Sequence, residues 1–199
     1  MSMMELGQGD ALLVIDMQYD FLPGGSLAVP GGHDVLAPIK RLLALYGERG
    51  LPIYATRDWH PHDHCSFAAQ GGPWPPHCVA GTAGASFPAE LALPAHTVVV
   101  SKADTAAVDA YSAFAGTGLA QQMRQRAITR VAVCGLATDY CVLNTVADAL
   151  KEGFDTLIVP EAMRAVDAQP GDGARAIDQM LAQGAAPVGL LGAGLAPLA

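Results

Sequence analysis

The chain has few basic residues and lacks long apolar runs. Only 11 of its 199 residues are Lys or Arg, against 19 Asp or Glu, which gives a formal net charge of −8. A nucleic-acid surface needs a cluster of basic side chains, so we expect no nucleic-acid partner. No segment has the roughly 20 consecutive apolar residues that a membrane helix needs, so we expect no membrane span.

Cysteine is also scarce. Four cysteines are present, without the close spacing of a small disulfide-rich scaffold: Cys65, Cys78, Cys134 and Cys141. The first ten residues carry two acidic side chains and no basic one, unlike a secretory signal peptide. We therefore expect free thiols, a reducing compartment and a cytoplasmic location.

Apolar residues are abundant and charges are scattered, at 51% and 15% of the chain. A chain of this length can bury a core without metal or disulfide support. We expect residues 1–199 to form one domain, with ragged ends at about 1–9 and 193–199.

Apolar runs typical of buried parallel strands alternate with amphipathic helical patterns. The strand patterns lie at 11–15, 51–56, 97–100, 131–134, 155–159 and, more weakly, 187–191. The helical patterns lie at 34–46, 118–127, 142–150 and 174–183. This order predicts a three-layer α/β/α fold around a doubly wound, mostly parallel six-stranded sheet.

Reactive side chains follow four of these strands. Asp16 comes directly after the first strand pattern, Asp58 and Lys102 come two residues after the second and third, and Cys141 follows the short turn after the fourth. Ligands of open parallel sheets bind outside the carboxyl ends of the strands. Each side chain alone could be a cap, a turn former or a solvated charge, but their convergence predicts one shared site.

Cys141 is the candidate nucleophile of this site. It lies in the first turn of a helix that begins near Asp139, where the helix dipole favours a thiolate. Asp16 is the candidate base, Lys102 the charge that holds both groups, and the backbone N–H groups of Ala137 and Cys141 the oxyanion donors. The alternative is that Cys141 is only a small buried core residue.

A proline-rich loop from 59 to 96 carries a second set of candidate residues. Asp58 and His60 point to one side of an extended segment, and His77 completes a carboxylate and two-histidine set suited to Zn, Mn or Fe. His64 is a further ligand or a partner behind the ligands. The alternatives are a hydrogen-bonded surface loop and a structural zinc site that uses Cys65 and Cys78.

Aromatic side chains near these residues are candidates for a substrate pocket. Phe21, Trp74 and Tyr111 can wall a flat cavity, although each is also compatible with ordinary core packing. We add Leu136, in the turn before Cys141, to this substrate-binding set.

Several motifs together resemble one protein family. They are Ala11-Leu-Leu-Val-Ile-Asp-Met-Gln-Tyr-Asp-Phe21, Arg57-Asp-Trp-His-Pro61, His64-Cys-Ser-Phe67, Trp74-Pro-Pro-His77, Val100-Ser-Lys102, Ala110-Tyr-Ser-Ala-Phe114 and Cys134-Gly-Leu-Ala-Thr-Asp-Tyr-Cys-Val142. The match is collinear from about residue 11 to 185. It resembles the cysteine hydrolases of the isochorismatase-like superfamily, and among them the nicotinamidases (pyrazinamidases).

The resemblance implies an Asp–Lys–Cys triad at Asp16, Lys102 and Cys141, and a cis peptide bond between Leu136 and Ala137. It also implies one divalent ion, with zinc expected ahead of iron and manganese, that contacts the pyridine nitrogen of the substrate. The implied reaction converts nicotinamide and water to nicotinic acid and ammonia through a thioester. The same site is expected to deamidate pyrazinamide and to serve NAD salvage.

Three rival functions remain open from the sequence. The chain resembles superfamily amidases acting on carbamoyl or maleamate-type substrates, it offers the ligands of a metal-hydroxide hydrolase, and it is compatible with a non-enzymatic binding domain. A homo-oligomer is also left open.

Overall fold

The computed structural model describes residues 3–192 and 194–198, and one seven-stranded sheet runs through them. Its strands are β1 (Asp10–Ile15), β2 (Ile53–Asp58), β3 (Val98–Lys102), β4 (Arg130–Leu136), β5 (Asp155–Arg164), β6 (Ala186–Leu191) and β7 (Gly194–Pro197). Their order is β3-β2-β1-β4-β5-β6-β7, and every neighbouring pair is parallel except β6 and β7. The predicted α/β class and mostly parallel sheet are confirmed.

Helices cover both faces of this sheet. They are α1 (Leu36–Glu48), α2 (Leu119–Gln125), α3 (Leu143–Lys151) and α4 (Asp172–Ala182). Along β1, Leu12 and Val14 pack in the same core as α1, whereas Ala11, Leu13 and Ile15 pack in the core of the other three helices. Burial on both faces explains the unbroken apolar run of β1. Among the described residues, no helix combines the length and apolar character needed to cross a membrane.

The prediction of six strands and a ragged C-terminal end is wrong, because the tail forms β7. This strand pairs antiparallel with β6, Leu195 is fully buried, and the Met4 N–H donates to the Leu195 carbonyl at 2.7 Å. The Gly- and Ala-rich tail has little strand propensity of its own, so long-range pairing orders the described residues near both ends. Residues 1, 2, 193 and 199 of the predicted ragged ends lie outside the described residues.

The sheet has a switch point between β1 and β4. The chain passes from β1 through β2 to β3 on one side, and from β4 through β5 to β6 on the other. A Cβ on Gly135 would lie 2.2 Å from the Ile15 carbonyl oxygen, and the φ of Gly135 is +115°. Only glycine permits this close approach. The crevice that opens at such a switch point is the usual ligand site of this architecture.

Candidate active site

The side chains that follow four strands meet at this crevice, as predicted. Lys102 Nζ lies 3.0 Å from Asp16 Oδ2, donates to Cys141 Sγ at 3.5 Å, and makes a short hydrogen bond to Asp58 Oδ1. One oxygen of each carboxylate and the Cys141 sulfur lie within 4.8 Å of one another. The four side chains therefore form one buried cluster of two carboxylates, one ammonium and one thiol.

Asp16 is placed to accept and return a proton. Its carboxyl oxygen Oδ1 accepts a hydrogen bond of 2.6 Å from the Thr56 hydroxyl, and Oδ2 faces Lys102. Complete burial raises the pKa of Asp16 above its ordinary value, although Lys102 acts in the opposite direction. A carboxyl whose pKa is raised is a more effective proton carrier near neutral pH. Thr56 was missed by the sequence reasoning, although its position two residues before Asp58 puts both on one face of β2.

Lys102 and Asp58 form the charged pair behind the nucleophile. Burial alone would lower the pKa of Lys102, but Asp16 and Asp58 hold it well above its ordinary value. Burial alone would raise the pKa of Asp58, but Lys102 and His60 hold it below its ordinary value. The lysine is therefore charged and Asp58 ionised at neutral pH.

The thiol of Cys141 is less acidic than its position in the chain suggests. It lies in a π-helical turn, Thr138–Val142, that leads into α3, and it is 6% exposed. Burial raises the pKa of the thiol well above its ordinary value, despite the attraction of Lys102. Burial and the neighbouring carboxylates therefore oppose the ionisation that we expected the helix start to favour. The thiol needs a base, and Asp16 is within hydrogen-bonding reach.

The other cysteine of this region, Cys134, lies inside β4. It is fully buried, and its thiol donates to the Leu13 carbonyl at 3.6 Å. Burial raises the pKa of this thiol as well. All four cysteines of the chain are free thiols.

Asp58, His60 and His77 form a group whose ligand atoms lie within 4.8 Å of one another. The Nδ1–H of His60 donates to the Ala103 carbonyl at 3.1 Å, and that of His77 donates to the Pro75 carbonyl at 2.8 Å. Both rings therefore direct Nε2 toward the group, and Nε2 of His60 is buried without a hydrogen-bond partner. Burial lowers the pKa of His77, which favours the neutral ring. These features fit a divalent metal ion, whose histidine ligands typically donate the other ring nitrogen in this way.

His64 does not belong to this group. Its Nδ1 is 2.7 Å from the Ser66 hydroxyl and its Nε2 is 3.1 Å from the Val108 carbonyl oxygen, so both ring nitrogens have protein partners. Its ring stacks on that of His60 with 4.1 Å between centroids. Of the two predicted roles, the structure supports that of a residue packed behind the ligand His60 rather than that of a further ligand. The potential ligand groups within the described ranges include neither Cys65 nor Cys78.

A cavity opens beside the cluster. It is lined by Phe21, Leu27, Val29, Asp58, Trp74, His77, Tyr111, Ala137, Tyr140, Cys141 and Val166. The predicted Phe21, Trp74 and Tyr111 are among these residues, but Leu136 is not. The Leu136 side chain is fully buried in the core that contains α1, whereas the following residue, Ala137, lines the cavity. The peptide bond between Leu136 and Ala137 is cis, as the resemblance implies.

The cavity wall above Cys141 is aromatic. The Trp74 Nε1–H donates to the Tyr111 hydroxyl oxygen at 3.0 Å, and Tyr140 packs edge-on against Trp74 with centroids 5.3 Å apart. On the other side, the Phe21 ring lies 5.7 Å from that of His77. Tyr140 was missed by the sequence reasoning, although its place directly before the nucleophile was a usable signal.

The part of the cavity lining formed by Val166 depends on Asp139. Its two carboxylate oxygens accept the N–H groups of Val166 and Asp167, each at 2.9 Å, instead of capping α3. This pairing brings Val166 to the cavity. Nothing local to Val166 indicates such a position, so the sequence did not reveal it.

Comparison with known proteins agrees with this arrangement. Residues 10–190 match the isochorismatase domain. A nicotinamidase of Escherichia coli (strain K12) is 39% identical over 196 residues, which cover 88% of this chain and 92% of that protein. The crystal structure of the pyrazinamidase of Pyrococcus horikoshii in complex with zinc is 43% identical with a TM-score of 0.88, covering 92% of this chain and 99% of that one. PnC1 from L. infantum in complex with nicotinate is 37% identical with a TM-score of 0.85, covering 94% and 96%. The chain belongs to the isochorismatase family.

Proposed function

We propose that this protein is an amidohydrolase that converts nicotinamide and water to nicotinic acid and ammonia. One observation carries the proposal: Cys141 lines the same cavity as Asp58 and His77 of the metal-ligand group. A divalent ion held by such a group has open positions for a further ligand, and the ring nitrogen of nicotinamide can fill one. The likeness to proteins named nicotinamidase and pyrazinamidase supports the same conclusion.

The triad residues divide the proton transfers between them. Asp16 takes the proton of the Cys141 thiol as sulfur attacks the carboxamide carbon, and then delivers that proton to the departing ammonia. Lys102 remains charged and balances the negative charge on Asp16 and on the sulfur. The N–H groups of Ala137 and Cys141 stabilise the oxyanion. Water then cleaves the thioester, with Asp16 as base again.

Asp58, His60 and His77 would hold one divalent ion, and we propose zinc, with iron and manganese as alternatives. When bound, the ion supplies a Lewis-acidic contact for the pyridine nitrogen. Phe21 and Trp74 offer aromatic faces to the ring, and Tyr111 holds Trp74 in place. Recognition of the ring and attack on the amide are thus assigned to different residues.

We extend the proposal in three respects. Pyrazinamide, which keeps a ring nitrogen and a carboxamide, is proposed as a second substrate. Residues 1–199 are proposed to act as a single domain, because one sheet joins the described residues from Asp10 to Pro197. The reaction is proposed to serve NAD salvage in the cytoplasm.

The direct test is ammonia release by metal-loaded protein. We expect nicotinamide to be hydrolysed with a kcat/KM of about 10⁴ M⁻¹s⁻¹ or more, in the ordinary range of enzymes. Maleamate and an N-carbamoyl amine serve as comparison substrates at equal concentration. Release from either of these, with none from nicotinamide, would replace the proposal with another amidase of the superfamily.

Removing the metal should mainly weaken recognition of the pyridine ring. We expect the metal-free protein to lose most of its preference for nicotinamide over benzamide, which lacks the ring nitrogen, because the triad does not include the ion. The ratio of the two kcat/KM values measures this preference.

A matched pair of histidine variants provides the control for metal removal. His60→Ala should reproduce the metal-free ratio, whereas His62→Ala should not, because the His62 side chain is 89% exposed and lies outside the ligand group. An unchanged ratio in His60→Ala would remove the proposed role of the metal.

A further inference from the structure

The segment Asp16–Phe21 contains two polar side chains that the proposed reaction does not use. Asp16 is the base and Phe21 lines the cavity, while Gln18 and Asp20 lie between them in the same conspicuous motif. Both side chains extend to backbone groups on other parts of the chain. Gln18 bonds to the backbone of Asp58, a residue of the metal-ligand group. Asp20 bonds to the backbone of Cys78, which directly follows the ligand-group residue His77.

Gln18 binds the backbone of Asp58 on both sides. Its amide nitrogen donates to the Asp58 carbonyl at 2.8 Å and to the Ala85 carbonyl at 2.9 Å, and its amide oxygen accepts the Asp58 N–H at 2.8 Å. Gln18 is fully buried. Its amide thereby continues the hydrogen bonding between β1 and β2 beyond the end of β1, and it fixes the backbone from which the Asp58 carboxylate projects.

Asp20 holds the backbone at His77. Its Oδ2 accepts the N–H of Cys78, the next residue, at 2.7 Å, and its Oδ1 accepts the Ser26 N–H at 3.2 Å. Cys78 has a φ of +46°, a conformation that non-glycine residues avoid, so an external bond is needed to hold it. Ser26 precedes Leu27, which lines the cavity. One carboxylate thus ties the metal-ligand segment to the cavity wall.

Gly84 leaves only enough room for this carboxylate. A Cβ on Gly84 would lie between 2.2 and 2.4 Å from the Oδ1, Oδ2 and Cγ atoms of Asp20. The Asp20 N–H also donates to the Gly84 carbonyl at 3.0 Å, so the two segments cannot simply separate. A methyl group at this position would displace the carboxylate from Cys78 without changing Asp20 itself.

We propose that Gln18 and Asp20 are positioning residues that hold Asp58 and His77 in the geometry required to bind a divalent metal ion. This inference rests on the proposed metal group, and it adds two residues that contact neither metal nor substrate. Partners behind metal ligands typically contribute about 10- to 100-fold in metal affinity. An effect of that size distinguishes positioning from a general contribution to the fold.

The test is zinc binding to metal-free protein, measured by competition with a chromogenic chelator. We expect Asp20→Asn, Gly84→Ala and Gln18→Glu each to weaken zinc binding by about 10-fold or more. In Asp20→Asn, the single amide oxygen can accept only one of the N–H groups of Cys78 and Ser26. In Gln18→Glu, the carboxylate cannot donate to the carbonyl groups of Asp58 and Ala85. Gly84→Ala displaces the carboxylate sterically. Circular dichroism identifies the folded variants.

Asp139→Asn is the matched control, because Asp139 also accepts two backbone N–H groups beside the cavity but none near a metal ligand. Its zinc affinity should equal that of the unsubstituted protein. We also expect excess zinc to restore the preference for nicotinamide over benzamide in Asp20→Asn, which a general packing defect would not allow. Zinc affinities within about 2-fold of the unsubstituted protein in all folded variants would overturn the proposal. Absence of zinc binding by the unsubstituted protein would instead overturn the metal group, and this proposal with it.

Discussion

Replacing Cys141 with alanine is expected to abolish nicotinamide hydrolysis while the protein stays folded. Removal of a covalent nucleophile lowers kcat by about 10⁵-fold or more in comparable hydrolases. Cys141 is the sulfur that contacts Lys102, lies within reach of Asp16 and lines the cavity. Ammonia release measures the turnover. Mass spectrometry, after treatment with an electrophilic nicotinamide analogue, measures the adduct on the Cys141 peptide.

Cys65→Ala is the control for this prediction, since Cys65 is half-buried and lies outside the cavity lining. It should retain both turnover and the Cys141 adduct. Near-normal turnover in Cys141→Ala would favour a metal-hydroxide hydrolase in which this cysteine is structural. A protein with neither turnover nor a specific adduct at Cys141 would favour a non-enzymatic binding domain.

Replacing Lys102 with methionine is expected to cost about 3–5 kcal/mol of unfolding free energy, because it leaves two buried carboxylates without their counter-charge. Asp16 and Asp58 are fully or almost fully buried and both contact the Lys102 ammonium. A loss of this size is a large part of the total stability of an ordinary domain. Chemical denaturation followed by fluorescence measures it, and turnover is expected to be lost as well.

The sign of the pH dependence provides an internal check on the Lys102→Met result. The pKa of Asp16 is already raised above 3.8, and losing Lys102, which lowers it, raises it further. A carboxyl whose folded pKa exceeds its unfolded pKa contributes stability at low pH and loses it as pH rises through the folded value. The stability deficit of the variant should therefore be smaller near pH 5 than near pH 8.

Lys151→Met is the matched control on the surface. Lys151 pairs with Asp148 at 3.0 Å on α3, but its side chain is 75% exposed. Its replacement should change the unfolding free energy by no more than about 0.5 kcal/mol at either pH. A deficit for Lys102→Met that is equally small would contradict the view that the buried cluster depends on this lysine.

Much of the site was predictable because parallel strands restrict where polar residues can stand. The apolar run of β1 is buried on both faces, so the first polar residue after it, Asp16, necessarily lies at the end of the sheet. The same reasoning placed Asp58, Lys102 and the turn before Cys141 at one edge. The spacing of Asp58 and His60 in an extended segment likewise indicated a common direction, and the ligand group confirms their proximity.

Other features were beyond local reasoning. Leu136 was assigned to the substrate pocket from its position in the turn, but the direction of its side chain depends on where β4 ends. The role of His64 depended on whether Ser66 and Val108 occupy its two nitrogens, and Val108 is 44 residues away. Gln18 and Asp20 were part of a recognised motif, yet their partners in the metal-ligand segments, Asp58 and Cys78, lie 40 and 58 residues along the chain.

The amino-acid sequence alone was sufficient to predict the α/β class, the edge of the sheet that carries the chemistry, and the candidate nucleophile, base, lysine and metal-ligand set. The class and the edge follow from strand periodicity and from the residues at strand ends, which are local properties of the chain, whereas His77 of the metal-ligand set was supported by the family resemblance. The seventh strand, the aromatic and Val166 walls of the cavity, and the raised pKa of the Cys141 thiol emerged only in three dimensions. Long-range backbone pairing and desolvation produce these features, and neither is encoded in any short stretch of residues.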